Sequence, residues 1–328
     1  METNNLTHYK TLVAKLPLLK KEIAKVIVGQ QEAIDEILIS LLASGHCLLE
    51  GVPGLAKTLM VKTMSEALHM SFKRIQFTPD LMPGDIVGTE ILEEDHETGR
   101  KFFKFNQGPV FANVVLADEI NRTPPKTQAA LLEAMQEKSV TYGGTNYELP
   151  NPFLIIATQN PIEQAGTYPL PEAQLDRFLL YIKLNYPNEQ EELDVLKGTT
   201  GSFKADIERV LTDSEIVDLQ KLTRQVHISD DLIQWINRLV RASRPEGSPS
   251  DFVKEWCDWG AGPRAGQALV LCAKARAVLS ERFSVIPEDI QTLAYPVLRH
   301  RIAMNFRAEA ENISTDQVID QLLRTIKA

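Results

Sequence analysis

The sequence predicts an α/β fold. A five-stranded parallel sheet lies between layers of helices over residues 1–187, and a smaller all-helical domain fills residues 188–328. Three observations carry this. A glycine-bearing loop joins an apolar run, Cys47-Leu48-Leu49, to a helix-like run from Leu59 to His69. Two more apolar runs, Asn113 to Ala117 and Phe153 to Ala157, end in polar residues, as buried parallel strands do where they meet a ligand. Beyond Asn188 the apolar spacing is almost wholly helical.

Residues 8–26 place Leu12, Leu16, Leu19 and Ile23 at helical spacing, and Val28-Gly29-Gln30 is a break. Ala33 to Leu42 forms a second helix with Ile34, Ile37, Leu38 and Leu41 on one side. The first strand then runs into Gly51-Val52-Pro53-Gly54-Leu55-Ala56-Lys57-Thr58. Backbone N–H groups of such a loop turn inward on phosphate oxygens, and the helix start adds a positive dipole end. In this pattern Lys57 reaches the β- and γ-phosphates and Thr58 holds Mg²⁺. Ala56 stands where the general pattern has its second glycine, and the loop alone is also compatible with an ordinary Gly-Pro turn.

Lys73 to Phe77 is the next strand, after which Pro79, Pro83 and Gly84 prevent a long helix. Glu90 to Glu93 and Lys101 to Phe105 flank Glu97-Thr98-Gly99 as a hairpin, acidic on one arm and basic on the other. The strand ending in Asp118-Glu119 follows: Asp118 would hold Mg²⁺ and Glu119 would activate the attacking water. After a helix from Lys126 to Glu137, Ser139 to Tyr142 and Asn146 to Leu149 form a second hairpin around Gly143-Gly144. The strand ending at Thr158-Gln159-Asn160 comes next. If it lies between the two strands above, Asn160 sits level with Glu119 and can hold the water without competing for the metal. Tyr181 to Leu184 is the last strand.

Composition narrows the function. With 44% hydrophobic and 24% charged residues, the chain has the profile of a globular protein. A net charge of −9 disfavours a dedicated nucleic-acid binder. No apolar run reaches 18 residues and Met1-Glu2-Thr3-Asn4-Asn5 has no secretory character, so a cytoplasmic protein without a membrane span is expected. The three cysteines and six histidines have no metal-ligand spacing. Trp256 and Trp259 sit at helical spacing and are assigned to the core of the second domain.

Three runs resemble the MoxR branch of the AAA+ ATPases: Gly51 to Thr58, Asp118 through Glu137, and Leu170-Pro171-Glu172-Ala173-Gln174-Leu175-Asp176-Arg177-Phe178. In that branch an alanine at position 56 is ordinary. The resemblance implies a P-loop nucleotide-binding domain and a lid, ATP and Mg²⁺ as ligands, and ATP hydrolysis in a ring, a hexamer by resemblance. It places Val28 and Gly29 beside the adenine. It makes Arg177 a finger that completes the neighbouring subunit's site, with an intrachain pair to Asp176 or Glu172 as the alternative. Arg264 resembles the second sensor arginine, acting in cis or in trans. Arg122 is a weaker candidate to face the neighbour, or a helix cap. The hairpins near 89–106 and 138–150 match the insertions of the clade that includes magnesium chelatase and the MCM helicases. The resemblance implies chaperone-like remodelling of client proteins, or help with metal or cofactor insertion into them, often together with proteins carrying von Willebrand factor A domains. A magnesium-chelatase-like subunit and a nucleic-acid-dependent motor are the alternative functions.

Overall fold

The computed structural model describes residues 2–94, 97, 99–162, 166–200 and 206–328. Three helices, α1 (Glu2–Val13), α2 (Leu16–Ala24) and α3 (Gln31–Leu42), precede β1 (Cys47–Glu50). Then come α4 (Lys57–Ala67), β2 (Phe72–Gln76), α5 (Pro83–Val87), β3 (Gly88–Glu94), β4 (Lys101–Gln107) and β5 (Val114–Asp118). A short 3₁₀ turn (Ile120–Arg122) leads to α6 (Pro125–Glu137), β6 (Ser139–Tyr142), β7 (Thr145–Glu148), β8 (Leu154–Gln159), α7 (Glu172–Leu175) and β9 (Leu180–Lys183).

Five strands form one parallel sheet in the order β2-β5-β8-β1-β9. Its alternation divides the core. Leu49, Leu116 and Ile156 face one helical layer, while Leu48, Val115, Ala117 and Ile155 face Leu131, Leu132 and Met135 of α6. Strand β8 lies between β1 and β5, as the position of Asn160 required. Glu50 is level with Gln159 and Ala117 with Ala157, so the three C-terminal ends meet on one edge.

The remaining helices are α8 (Glu189–Thr199), α9 (Asp213–Gln225), α10 (Asp230–Ala242), α11 (Asp251–Trp256), α12 (Pro263–Leu279), α13 (Pro287–Leu298), α14 (Phe306–Ala310) and α15 (Thr315–Thr325). Asn188, Thr212, Ser229 and Ser314 cap four of them with side-chain oxygens. Leu239, Leu269, Leu293 and Ile319 continue the same core that underlies the sheet. This region is not wholly helical: β10 (Cys257–Trp259) pairs antiparallel with β11 (Ala303–Met304). That corrects the reading of the tryptophan pair. Trp256 ends a helix and is buried, but the chain turns extended at Cys257 and leaves Trp259 53% exposed.

Both hairpins form. Strand β3 pairs with β4, and Glu93 makes an ion pair with Lys104 at 3.2 Å. Thr98 of the turn and His96 lie outside the described residues. Strand β6 turns into β7 at Gly143-Gly144, whose φ values of 57° and 80° suit glycine. Phe105 joins the hairpins: its ring lies 5.0 Å from that of Tyr142 and 4.5 Å from that of Tyr147. Neither Phe102 nor Phe103 packs inward; they are 45% and 70% exposed.

Candidate nucleotide site

The loop after β1 is shaped by one strained residue. Ala56, directly before α4, has φ 53°, the left-handed region in which glycine is at ease. That is where the general loop pattern has its glycine, so the backbone form is kept without the residue. Lys57 opens the helix and donates to the Gly51 carbonyl at 2.5 Å, folding its ammonium back over the loop. Burial pulls Lys57 below its ordinary pKa, while the carboxylates of Asp118, Glu119 and Glu50 oppose that shift. Thr58, next on the helix, is half-buried.

The acidic pair stands at the end of β5. Asp118 is buried and both its oxygens are engaged: Thr158 donates to Oδ1 at 2.6 Å, and Arg74 donates to Oδ2 from Nε at 3.0 Å and Nη2 at 2.5 Å. Glu119 leaves the strand at φ 58°, and its N–H donates to the Thr158 hydroxyl at 2.9 Å. Its carboxylate accepts from Gln76 Nε2 at 3.0 Å and pairs with Arg122 Nε at 3.2 Å. Arg122 thus pairs with Glu119 of its own chain. Beside them Asn160 is buried, and its Oδ1 accepts from the Ile162 N–H at 3.1 Å. Its Nδ2 has no partner among the described residues.

A cavity of about 590 Å³ opens against the loop. Val28, Gln30, Gly54, Leu55 and Ala56 line it, with Val195 of α8 on the far side. Its size and its mixture of apolar walls with a few polar groups suit a nucleoside. Gly29 has φ 70°, a left-handed backbone that favours glycine, and a Cβ there would lie 2.8 Å from the carboxyl carbon of Glu191 of α8, whose side chain would have to shift. The residues fit ATP with Mg²⁺: a lysine and a threonine at the helix start, a carboxylate on the neighbouring strand end, and a buried amide donor left over at Asn160.

Arg177 and Arg264 are not in this cavity. They line a second one of about 250 Å³ with Asp176, Arg301 and His46. Arg177 is exposed, and among the described residues its guanidinium has no partner. The alternative pair with Asp176 does not form, because Asp176 takes Arg301 at 2.7 Å and Arg264 at 3.6 Å. The two arginines thus stand together, apart from the chain's own phosphate loop.

Arg74, Gln76 and Thr158 went unnoticed in the sequence. A signal was present for two of them: Arg74 and Gln76 share one side of β2 by strand alternation, a polar pair beside a buried strand. Thr158 gave none, since a threonine in an apolar strand is ordinary.

A phosphate loop after β1, an Asp-Glu pair ending β5 and an amide ending β8 define an AAA-class ATPase domain with a lid. A profile of the ATPase family associated with various cellular activities (AAA) matches residues 46–180, and one of the AAA lid domain matches residues 253–322. Chaperone MoxR1 of Mycobacterium tuberculosis is 44% identical over 93% of this chain and 80% of its own length. Protein MoxR of Methylorubrum extorquens is 30% identical over 98% of this chain and 95% of its own. A crystal structure of a Cytophaga hutchinsonii protein superposes with a TM-score of 0.93 at 44% identity, covering 100% of this chain and 99% of that one. The chain belongs to the MoxR family of AAA+ ATPases. Among the described residues no helix is long and apolar enough to cross a membrane.

Proposed function

We propose that the chain hydrolyses ATP to ADP and phosphate and uses the energy to remodel partner proteins. One observation carries the reading: Lys57, Asp118, Glu119 and Asn160 stand on the adjacent ends of β1, β5 and β8, and the Asn160 amide is buried with its donor unpartnered among the described residues. Residues Val28–Gln30 and the loop Gly51–Thr58 bind the nucleoside and phosphates. Lys57 leaves the Gly51 carbonyl for the β- and γ-phosphates. Mg²⁺, held by Thr58 and Asp118, would neutralise charge on the phosphate oxygens. Glu119 takes the proton of the attacking water, and Asn160 holds that water in line. Arg177, without a partner among the described residues, reaches the γ-phosphate of a neighbour's ATP, where a guanidinium offsets developing charge. Arg264 shares its cavity and so acts across the same interface.

A site completed by a second copy calls for a ring, a hexamer by family resemblance. The boundary between ATPase domain and lid is taken to fall after residue 187. The partners are protein clients and a protein carrying a von Willebrand factor A domain, in the cytoplasm. The name of the mycobacterial relative, a chaperone, supports this role. Lys57→Ala should lose ATP binding. Glu119→Gln should bind ATP but turn it over about 100-fold more slowly, as loss of a general base does. Unchanged turnover in Glu119→Gln would remove Glu119 from the mechanism.

A further inference from the structure

The segment that carries Arg177 is held from the lid by several side chains, and buried Arg301 makes most of the bonds. Arg301, just past α13, is 3% exposed at its side chain, deep burial for a guanidinium. Its Nε donates to Asp176 Oδ1 at 2.7 Å. Its Nη2 donates to the carbonyl of Phe178 at 2.7 Å and to that of Asp176 at 3.4 Å. Its Nη1 donates to Leu179 at 3.2 Å and to Val297 of α13 at 2.5 Å. The fork therefore binds the residues on both sides of Arg177 and ties them to a lid helix. His300 Nε2 adds a contact to the Phe178 carbonyl at 3.0 Å. Arg264, at the start of α12, reaches the other oxygen of Asp176 at 3.6 Å.

Burying a guanidinium is a poor way to gain stability, because its desolvation is costly and an apolar side chain of the same volume often serves as well. What a planar five-donor fork does supply is direction. We propose that Arg301 is a positioning residue for the arginine finger: through Asp176, Phe178 and Leu179 it sets where Arg177 projects, and through Asp176 it couples Arg177 to Arg264. Finger and sensor then reach the neighbour's nucleotide as one unit that follows the lid. This rests on the reading that Arg177 acts in trans, and adds to it a residue of the lid that has no contact with nucleotide.

The test is a pattern of complementation. Arg301→Gln should lose on the order of 10- to 100-fold in turnover, as displaced catalytic groups do, while its ATP affinity stays within about twofold. Pairs of variant chains carrying different tags are co-expressed and purified through both tags. Arg301→Gln with Glu119→Gln should regain turnover, because an intact Glu119 then meets an intact finger. Arg301→Gln with Arg177→Ala should not, since both chains lack a placed finger. Regain with Arg177→Ala but not with Glu119→Gln would put Arg301 in its own chain's site and overturn the proposal. Regain in neither, with both chains folded, would reduce Arg301 to a stabilising residue and overturn it too. Glu119→Gln with Arg177→Ala is the control: if it regains nothing, the finger reading itself fails and the Arg301 proposal falls with it. Should Arg301→Gln not fold, Asp176→Asn, which weakens the same bond from its other end, replaces it in the same two pairings. Regain with Glu119→Gln alone would again support the proposal, and either of the other two patterns would again overturn it.

Discussion

The carboxylate of Asp118 is held by the guanidinium of Arg74, Nη2 to Oδ2 at 2.5 Å, across the junction of β5 and β2. Asp118 is the residue assigned to Mg²⁺, so a fixed cation sits beside the proposed metal site. A neighbouring positive charge lowers the affinity of a carboxylate for a second one. Arg74→Met should therefore shift the Mg²⁺ dependence of ATP hydrolysis to lower concentration by several-fold, about 1 kcal/mol in binding for a partly exposed pair. A titration of turnover against Mg²⁺ reads it. A shift to higher concentration would mean that Arg74 chiefly orients Asp118.

We propose the exposed face of the first hairpin as the surface that engages client protein. Leu92 and Phe103 lie directly opposite each other and are 56% and 70% exposed. Aromatic anchors of this kind dominate protein contacts. Phe103→Ser should leave basal ATPase unchanged and reduce capture of an unfolded test protein, such as reduced α-lactalbumin, by the ATP-bound chain. Phe102→Ser, on the other side of the strand, should do less. DNA that strongly stimulates the ATPase, with affinity falling steeply in salt, would instead favour a nucleic-acid motor.

Stability should depend on pH through buried groups of opposite sign, Glu36 on one side and His46, with His300 shifted the same way, on the other. Burial, with the charge of Glu32 behind it, pushes Glu36 up to about 8 from 4.5. The folded chain then keeps a proton that the unfolded chain has lost, so stability present below pH 4.5 is lost as pH rises towards 8. Burial pushes His46 down to about 4 from 6.5, so its contribution is full above 6.5 and is lost as pH falls towards 4. The two slopes oppose between 4.5 and 6.5, and of this pair only Glu36 acts between 6.5 and 8. Urea midpoints of the wild type should fall over that upper window, and Glu36→Gln should flatten the fall. An unaltered slope in Glu36→Gln would assign the effect to other groups.

The sheet and the phosphate loop were legible because buried parallel strands read as short apolar runs, and their ends carry the polar residues that matter: Glu50, Asp118 and Asn160. The longer helices beyond Asn188 were legible from their period, while the short α11 and α14 were not. Strands β10 and β11 were not, since two or three residues are too few to show an alternation. Arg301 was invisible for another reason. It meets Asp176 over 125 positions of chain, and such a pairing leaves no local pattern in either segment. Ala56 shows a local rule giving way at a working site: a non-glycine residue holds a left-handed backbone at a cost of about 1–3 kcal/mol.

The central claim is a catalytic site shared between two copies of the chain, with Glu119 from one and Arg177 from the other. It is tested most directly by steady-state ATP hydrolysis of assemblies that contain Glu119→Gln and Arg177→Ala chains together, purified through a tag on each. Each variant alone should be nearly inactive. The mixed assembly should regain turnover, because some interfaces then join an intact Glu119 to an intact Arg177. Mixed assemblies as inactive as their parents would contradict the account and place Arg177 in its own chain's site or outside catalysis.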